Sequence, residues 1–230
     1  MKTGVKIHPI TCPKKIKMIS KTEKFWDKQA KIFDTSEKQF ESVYKEIIAK
    51  TRMYLAENDN VLDFGCATGT KTIELARGVK HIHGLDISTE MIRNAIKKKD
   101  EANILNISFS KGTLPDDDFE ASSFDKIIAY SIIHLLVDGE KVIKRIHELL
   151  KPGGLFISLT VCMKDKMSFK RRFEVTTYLF MIRLGISPLH LNMFMPADVE
   201  KLITDQNFQI VEAEKVSHGL PAVFIVAKKP

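Results

Sequence analysis

The sequence predicts an α/β fold with a doubly wound, mostly parallel seven-stranded sheet, an antiparallel strand at its edge and helices on both faces. Two observations predict this fold. Seven short apolar segments are separated mainly by helix-length segments, which requires crossover connections and therefore a parallel sheet. The last two apolar segments are joined by only five residues, 217–221, which are too few for a crossover. These two segments should therefore pair as an antiparallel hairpin at the sheet edge.

The individual elements follow from the period of the apolar residues. The predicted strands are Asn60–Phe64, His81–Asp86, Ile104–Lys111, Phe124–Tyr130, Gly154–Thr160, Phe208–Lys215 and Ala222–Ala227. The predicted helices are Lys71–Arg77, Thr89–Lys99, Gly139–Leu150 and Ala197–Gln206. Residues 1–20 are predicted to be a flexible arm. Residues 21–230 are predicted to be a single domain that begins with a helical segment, residues 21–57.

The composition indicates a globular protein and argues against several other classes. The chain has 230 residues, 44% of them hydrophobic, and a net charge of +7, which fits one globular domain. The positive charge is scattered over helix faces, so nucleic acid is not the expected partner. Three widely spaced cysteines exclude a zinc motif and argue against a disulfide scaffold, which favours a reducing, cytoplasmic setting. There is no signal-peptide pattern and no apolar run of about 18 residues.

The most informative segment is the turn within residues 61–70, Val-Leu-Asp-Phe-Gly-Cys-Ala-Thr-Gly-Thr. An apolar strand leads into Asp63, and two glycines, Gly65 and Gly69, precede a helix. Glycine has no Cβ and tolerates positive φ, so the backbone can approach a ligand closely. Asp63 is placed to accept a hydrogen bond from a cationic or hydroxyl-bearing ligand. A dinucleotide site needs the spacing G-x-G-x-x-G, which is not present here, whereas a glycine turn of another α/β protein stays an alternative.

A second carboxylate, Asp86, ends the second predicted strand. At the carboxyl end of a parallel strand it can accept hydrogen bonds from both hydroxyls of a ribose. The alternative is a helix N-terminal charge, since a helix is predicted from Thr89. Ile87 and Met91 follow as apolar neighbours of a nucleoside.

Together these segments resemble the class I S-adenosylmethionine-dependent methyltransferases, which have a Rossmann-like fold. The turn is similar to their first motif, acidic-x-Gly-x-Gly-x-Gly, with Ala67 at the middle glycine. Residues 124–131 resemble the fourth motif, and residues 147–158, with Lys-Pro-Gly-Gly, resemble the helix–turn–strand signature of the family. The segment around Phe25–Asp34 looks like the lid of the small-molecule branch, which includes quinone and lipid methyltransferases. Trp26 and Phe33 fit a lid and ordinary core packing equally well.

The resemblance implies S-adenosylmethionine as the cofactor, with S-adenosylhomocysteine as its product. Thr113 stands where the family commonly has an aspartate that reaches the adenine amino group, and a hydroxyl can also accept from that group. The cofactor-binding residues implied by the resemblance are Asp63, Gly65, Cys66, Ala67, Gly69, Asp86, Ile87, Met91, Gly112, Thr113, Leu114, Tyr130 and Ser131.

The implied reaction is in-line displacement, in which a nucleophile attacks the sulfonium methyl. The cofactor carries its own leaving group, so no metal is required. His134 is the preferred candidate base because it follows the fourth strand and imidazole titrates near neutrality; a helix-start or core histidine is the alternative. Tyr130 is a second candidate for acceptor-side contact, and His190 and His218 are weaker ones.

Substrate specificity is expected in residues 162–196, which join a basic start to many apolar side chains. This composition suits a cap over a hydrophobic or anionic substrate, a peripheral membrane contact, or a segment packed on the core. The expected function is methyl transfer to a small, partly apolar metabolite by a monomer or homodimer. The alternatives are an RNA methyltransferase and a non-catalytic module that binds S-adenosylmethionine or S-adenosylhomocysteine.

Overall fold

Seven strands hydrogen-bond into one sheet in the order β3-β2-β1-β4-β5-β7-β6. The computed structural model describes residues 13–216 and 220–230, with side chains from residue 20 onward. The strands are β1 Asn60–Phe64, β2 His81–Asp86, β3 Ile107–Lys111, β4 Phe124–Tyr130, β5 Leu150–Val161, β6 Gln209–Val216 and β7 Ala222–Lys228. All neighbouring pairs are parallel except those that β7 makes with β5 and β6. The predicted fold and terminal hairpin are therefore confirmed.

Eight α-helices connect and cover these strands within the described part of the chain. They are α1 Pro13–Gln29, α2 Phe33–Glu37, α3 Glu41–Arg52, α4 Thr70–Leu75, α5 Thr89–Glu101, α6 Gly139–Leu149, α7 Phe169–Arg183 and α8 Pro196–Thr204. Short 3₁₀ turns follow α2 and α4, and a third, Ile133–Leu135, follows β4.

The bounds of four strands differ from those predicted: β3 at its start, β7 at its end, and β5 and β6 at both ends. β3 begins at Ile107 and not at Ile104, because the pairing with β2 starts there and Asn103 turns the chain with a φ of 51°. β5 begins at Leu150, before the predicted start at Gly154, since α6 ends at Leu149 and the chain is extended from there. β6 is shifted by one residue.

The N-terminal region also differs from the prediction. α1 begins at Pro13, so residues 13–20, predicted to belong to a flexible arm, are helical in the structure. Proline is tolerated in the first turn of a helix, where its missing N–H has no intrahelical partner. Residues 1–12 lie outside the described residues. The helical segment 21–57 consists of the end of α1, α2, a 3₁₀ turn and α3, and we call it the lid.

The sheet has one apolar cluster on each face. On one face, Ile143 of α6 and Ile203 of α8 pack against β4, β5 and β7. On the other face, Ile47 of α3 and Leu75 of α4 pack against β1, β2 and β4. Because both faces are covered, the open parts of the sheet are its edges and strand ends. None of the described helices is long and apolar enough to cross a membrane.

Candidate functional site

A cavity of about 530 Å³ lies at the carboxyl ends of the parallel strands. The loops after β1, β2, β3 and β4 form its floor, as expected for an open parallel sheet. Side chains of the lid, among them Trp26, Phe33 and Tyr44, close it from above. Trp26 and Phe33 therefore face the cavity, and their rings also pack edge to face, with 6.5 Å between centroids.

Most of the residues predicted to bind the cofactor lie together on the wall of this cavity. The residues in contact with it are Asp63, Gly65, Cys66, Ala67, Asp86, Ile87, Met91, Gly112, Thr113, Leu114, Tyr130 and Ser131, with the candidate base His134. These residues come from the ends of β1, β2 and β4, from the segments that follow β1 to β4 and from the start of α5, so their convergence follows from the sheet topology.

Of the two glycines in the turn, Gly65 lines the cavity and Gly69 packs against α5 and β3. Gly65 has a φ of 77° and lies on the cavity wall. Gly69 has a φ of 74° but does not line the cavity, and a Cβ there would lie 2.8 Å from both Ala95 Cβ and Phe109 Cζ. The assignment of Gly69 to cofactor contact stays a prediction; in the structure this glycine allows close packing between the turn, α5 and β3. Ala67 keeps a left-handed φ of 49° in place of the usual glycine.

Two buried carboxylates mark the polar end of the cavity, which we define by Asp63, Gly65 and Asp86. Asp63 accepts a hydrogen bond from Thr72 Oγ1 at 2.5 Å. Asp86 accepts hydrogen bonds from the backbone N–H of Ala67 at 3.0 Å and that of Ser88 at 2.9 Å. Burial raises the pKa of both carboxyls to about 6. A carboxylate can accept about four hydrogen bonds, so both retain capacity for a ligand.

The wall beside Asp86 is apolar with one hydroxyl. Met91 is 1% exposed and Leu114 is 3% exposed, so both present fixed apolar surface. Thr113 Oγ1 donates to the backbone carbonyl of Leu114 at 3.2 Å. Since its proton is used there, the lone pairs of Thr113 stay available to accept from an amino group.

The loop after β4 places two hydroxyl groups on the cavity wall. The Tyr130 hydroxyl pairs with Thr51 Oγ1 of α3, and burial raises the pKa of Tyr130 above its usual range. Ser131 has a φ of 55°, and its Oγ lies 3.1 Å from the Tyr44 hydroxyl of the lid. Tyr130 is thus tied to α3 through its hydroxyl and stays neutral, which suits positioning better than proton transfer.

His134 lies in the 3₁₀ turn after β4 and is 7% exposed. Its Nδ1 is buried without a hydrogen-bond partner among the described residues. Burial lowers the pKa of this imidazole to about 4, so the ring is neutral at pH 7. The His134 residue lines the cavity, and a neutral imidazole can accept a proton or a hydrogen bond from a ligand that reaches one of its nitrogens.

Lys71 is a site residue that the sequence analysis treated only as part of a helix. Its Nζ pairs with Glu37 of the lid and lies 4.0 Å from the centroid of the Tyr44 ring. Burial opposes its charge, but Tyr44 and Glu37 outweigh burial and raise the pKa of Lys71. The resulting cation lies on the cavity wall, where it suits an anionic ligand group. Its place two residues after Gly69 was visible in the sequence, but its orientation was not.

Hydrogen bonds and an ion pair connect the lid to residues near the polar end. Asp27 accepts from Ser88 Oγ at 2.7 Å. Asp34 accepts from Thr68 Oγ1 at 2.5 Å and lies 2.6 Å from Lys98 Nζ. The lid is therefore closed over the polar end by charged and polar contacts.

The opposite side of the cavity is apolar, and the sequence analysis did not identify its residues. We define this apolar end by Leu159, Val161, Val216, Leu220 and Ala222, all of which line the cavity. They come from β5 and the terminal hairpin.

The segment 162–196 contributes little to this wall. It was expected to carry specificity, yet only Pro188 and His190 of this segment line the cavity. His218 lies outside the described residues. Among the residues that the structure describes, no three His, Cys, Asp or Glu side chains are grouped as ligands of a metal ion would be.

A family model described as a methyltransferase domain matches residues 55–216, which is more than half of the chain. The matched range holds the glycine turn, both buried carboxylates and the candidate base. The chain belongs to the class I S-adenosylmethionine-dependent methyltransferases. The methyl donor of this family is S-adenosylmethionine, and the lining of the cavity fits this group: it has two buried carboxylates at the polar end and the apolar side chains of Met91 and Leu114.

Individual relatives agree with this family. An uncharacterized methyltransferase of Oceanobacillus iheyensis is 31% identical over 138 residues, which are 56% of this chain and 61% of that protein. The chain thus spans less than two thirds of the length of that relative. A demethylmenaquinone methyltransferase of Geobacillus is 23% identical over 199 residues, covering 77% of this chain and 82% of that protein.

Solved structures show the same fold. Phosphoethanolamine N-methyltransferase 2 of Haemonchus contortus, in complex with phosphomonomethylethanolamine and S-adenosylhomocysteine, superposes with a TM-score of 0.68 at 17% identity. The superposition covers 86% of this chain and 58% of that one.

Proposed function

We propose that this methyltransferase transfers the methyl group to a small, partly apolar metabolite. The observation that carries the proposal is the cavity itself, in which the polar end and the apolar end share one space of about 530 Å³. This volume lies within the range of about 300–1,000 Å³ that is usual for small-molecule sites.

The apolar end favours an acceptor with an uncharged ring or chain. Leu159 is 3% exposed and Val216 is 5% exposed, so the wall is fixed by the core. Aliphatic walls stabilise apolar groups by removing their surface from water and offer no hydrogen bonds to a strongly polar group. The similarity to demethylmenaquinone methyltransferase supports this acceptor class, whereas the structural likeness to a phosphoethanolamine methyltransferase concerns the fold alone.

The donor supplies an electrophilic methyl group and its own leaving group. The chain contributes position and exclusion of water: Asp63 and Asp86 hold the polar groups of the donor, and the lid closes over them. Holding two reactants in line replaces a bimolecular encounter by a step within one complex. Thr113, placed beside Met91 and Leu114, accepts a hydrogen bond from the nucleobase.

His134 takes the proton of the acceptor in this proposal. The imidazole of His134, which lines the cavity, would take up the proton that the acceptor loses when it gains the methyl group. General base catalysis of this kind typically contributes about 10²–10⁴ in rate. The low pKa of His134 suits an acceptor whose proton becomes acidic only as the new bond forms. Tyr130 positions the reactants through its ring, because its hydroxyl is held by Thr51.

Incubation with methyl-labelled S-adenosylmethionine and fractionated cell extract tests the proposal. We expect label in an organic-soluble small-molecule fraction. Label in RNA or protein would identify a different acceptor class and contradict the proposal. Binding of S-adenosylhomocysteine without label transfer to any fraction would indicate a non-catalytic module.

The role of His134 is tested separately. His134→Gln should lower kcat at least about tenfold and leave the affinity for S-adenosylhomocysteine unchanged. His147→Gln is the control, because His147 packs against Phe208 behind the sheet and does not line the cavity. Equal kcat for the two variants would remove His134 from the mechanism.

A further inference from the structure

The helix α7 has an apolar stripe that nothing in the described structure covers. Phe169, Phe173 and Phe180 are 87%, 66% and 60% exposed, and Leu184 at the helix end is 58% exposed. At about 100° per residue these four side chains fall within about 60° of one another around the helix axis. They therefore form one continuous stripe, which we call the phenylalanine stripe.

The opposite face of α7 is less exposed than the phenylalanine stripe. Val175, Tyr178 and Ile182 are half-buried and lie on the side away from the phenylalanine stripe. No residue of α7 is fully buried. The helix is thus apolar on two sides, and the phenylalanine stripe is the more exposed of the two. Other large exposed side chains, such as Leu105 and Met53, are isolated on the surface, which is ordinary for a folded protein.

Cations border the phenylalanine stripe on both sides. Arg172 and Arg183 follow it along one side and Lys170 along the other, and all three are exposed. None of the three forms an ion pair with the described residues, whereas Arg171, on the less exposed face, pairs with Glu174 at 2.8 Å. Residues 164–183 carry six cationic and two acidic side chains.

We propose that the phenylalanine stripe docks on the surface of an anionic lipid bilayer. Aromatic side chains between arginines and lysines bind at the interface, where the rings enter the headgroup region and the cations meet anionic lipids. A second copy of this chain fits less well. A symmetric dimer brings the same patch against itself, so the bordering cations would face each other.

The position of α7 gives this contact a consequence for the cavity. The Tyr178 hydroxyl lies 3.2 Å from Ser187 Oγ, and the next residue, Pro188, lines the cavity. The backbone N–H of Asn192 donates to the carbonyl of His134 at 2.7 Å. Docking through α7 thus brings the wall beside His134 near the lipid surface, which suits an acceptor dissolved in the membrane. The membrane contact itself does not depend on the proposed acceptor.

Vesicle sedimentation with the whole protein tests the contact. We expect binding to phosphatidylcholine vesicles that contain phosphatidylglycerol, and at least about tenfold weaker binding to pure phosphatidylcholine. The triple variant Phe169→Ser, Phe173→Ser, Phe180→Ser should lower the partition coefficient at least about tenfold. Met53→Ser with Leu105→Ser is the control, because these exposed apolar residues lie elsewhere, and it should bind like the wild type.

A charge variant separates electrostatic from apolar binding. Lys170→Gln, Arg172→Gln and Arg183→Gln together should remove the preference for phosphatidylglycerol, with up to about fivefold weaker binding per cation. All variants should keep the wild-type melting temperature and affinity for S-adenosylhomocysteine. Because the melting temperature and the cofactor affinity are measured separately from vesicle binding, a failure of the membrane proposal can be told apart from a failure of the proposed function.

Two results would overturn the proposal. One is equal binding of the wild type and the triple variant to the anionic vesicles. The other is a wild-type dimer in sedimentation velocity that dissociates in the triple variant, since the stripe would then face a second copy.

Discussion

The polar end and the apolar end of the cavity are built in different ways. At the polar end, Asp86 is held by two backbone N–H groups and Asp63 by Thr72, so direction and distance are set by hydrogen bonds. At the apolar end, Leu159, Val161 and Val216 offer surface without direction. A site with hydrogen bonds of fixed direction recognises one ligand, whereas an apolar wall can accept ligand groups of different shape. The first suits a cofactor common to a family, and the second suits an acceptor that differs between members.

The largest effect is expected at the polar end. Asp86→Ala removes the acceptor for the ribose and leaves the N–H groups of Ala67 and Ser88 without a partner. We expect the dissociation constant of S-adenosylhomocysteine to rise about 100-fold, since a buried charged hydrogen-bonding partner is worth about 1.5–3 kcal/mol. Calorimetry measures this constant, and the melting temperature monitors the fold. A change of less than threefold in a folded variant would contradict the ribose assignment.

The two glycines of the turn should behave differently from each other. Gly69→Ala should lower the free energy of unfolding by about 2–3 kcal/mol, because its Cβ would meet Ala95 and Phe109 in addition to the strain of positive φ. Gly185→Ala is the matched control: its φ is 72°, but nothing lies within 4 Å of its Cβ. We expect a loss of only about 1 kcal/mol there. If urea denaturation gave equal losses in the free energy of unfolding for the two variants, the contacts of Gly69 with Ala95 and Phe109 would not contribute to stability.

The carboxylates at the polar end should make cofactor affinity depend on pH. Burial raises the pKa of Asp63 and Asp86 to about 6, and a ligand that donates hydrogen bonds favours their ionised forms. Affinity should therefore rise between about pH 5 and about pH 7, by about tenfold for each carboxylate, with release of protons. Calorimetry in two buffers of different ionisation enthalpy counts these protons. Asp63→Asn should reduce the pH dependence, and an unchanged dependence would exclude Asp63 as its source.

The same pKa values also determine how the free energy of unfolding of the ligand-free protein changes with pH. The folded carboxyls hold protons between about pH 4 and about pH 6, where the unfolded ones are ionised. Their contribution to stability is therefore present below this window and is lost as the pH rises through it.

The smallest effect is expected at the apolar end. Val161→Thr keeps the shape of the side chain and adds a hydroxyl to the cavity wall. We expect KM for the acceptor to rise about fivefold, because apolar contact is weakened by about 1 kcal/mol, with unchanged affinity for S-adenosylhomocysteine. Val211→Thr is the control, since Val211 is 52% exposed on β6. A loss of cofactor affinity in Val161→Thr would show that the two ends are not separate.

The residues of the polar end could be predicted from the sequence because they lie in short contiguous segments of the chain. A strand, a turn and the start of a helix are contiguous around Gly65, and Asp86 ends an apolar run, so a parallel sheet brings them together. The bounds of β1, β2 and β4 agree with the structure to the residue. Gly69 was assigned to the cavity because motif spacing does not tell which glycine faces a ligand and which faces a neighbouring helix.

The apolar end was not predictable in the same way. Val161 and Ala222 are far apart in the sequence and become neighbours only because β7 pairs antiparallel with β5. The segment 162–196 was assigned the specificity role from its composition, yet α7 directs its phenylalanines outward. Composition shows that a segment is apolar but not which side of it meets the domain. The orientation of Lys71 toward Tyr44 and Glu37 depends on the lid for the same reason.

Calorimetric titration of the wild-type protein with S-adenosylhomocysteine tests the central claim most directly. We expect one site per chain, with a dissociation constant that rises about 100-fold in Asp86→Ala and is unchanged in Val161→Thr. No detectable binding of either S-adenosylhomocysteine or S-adenosylmethionine by the folded wild type would contradict it.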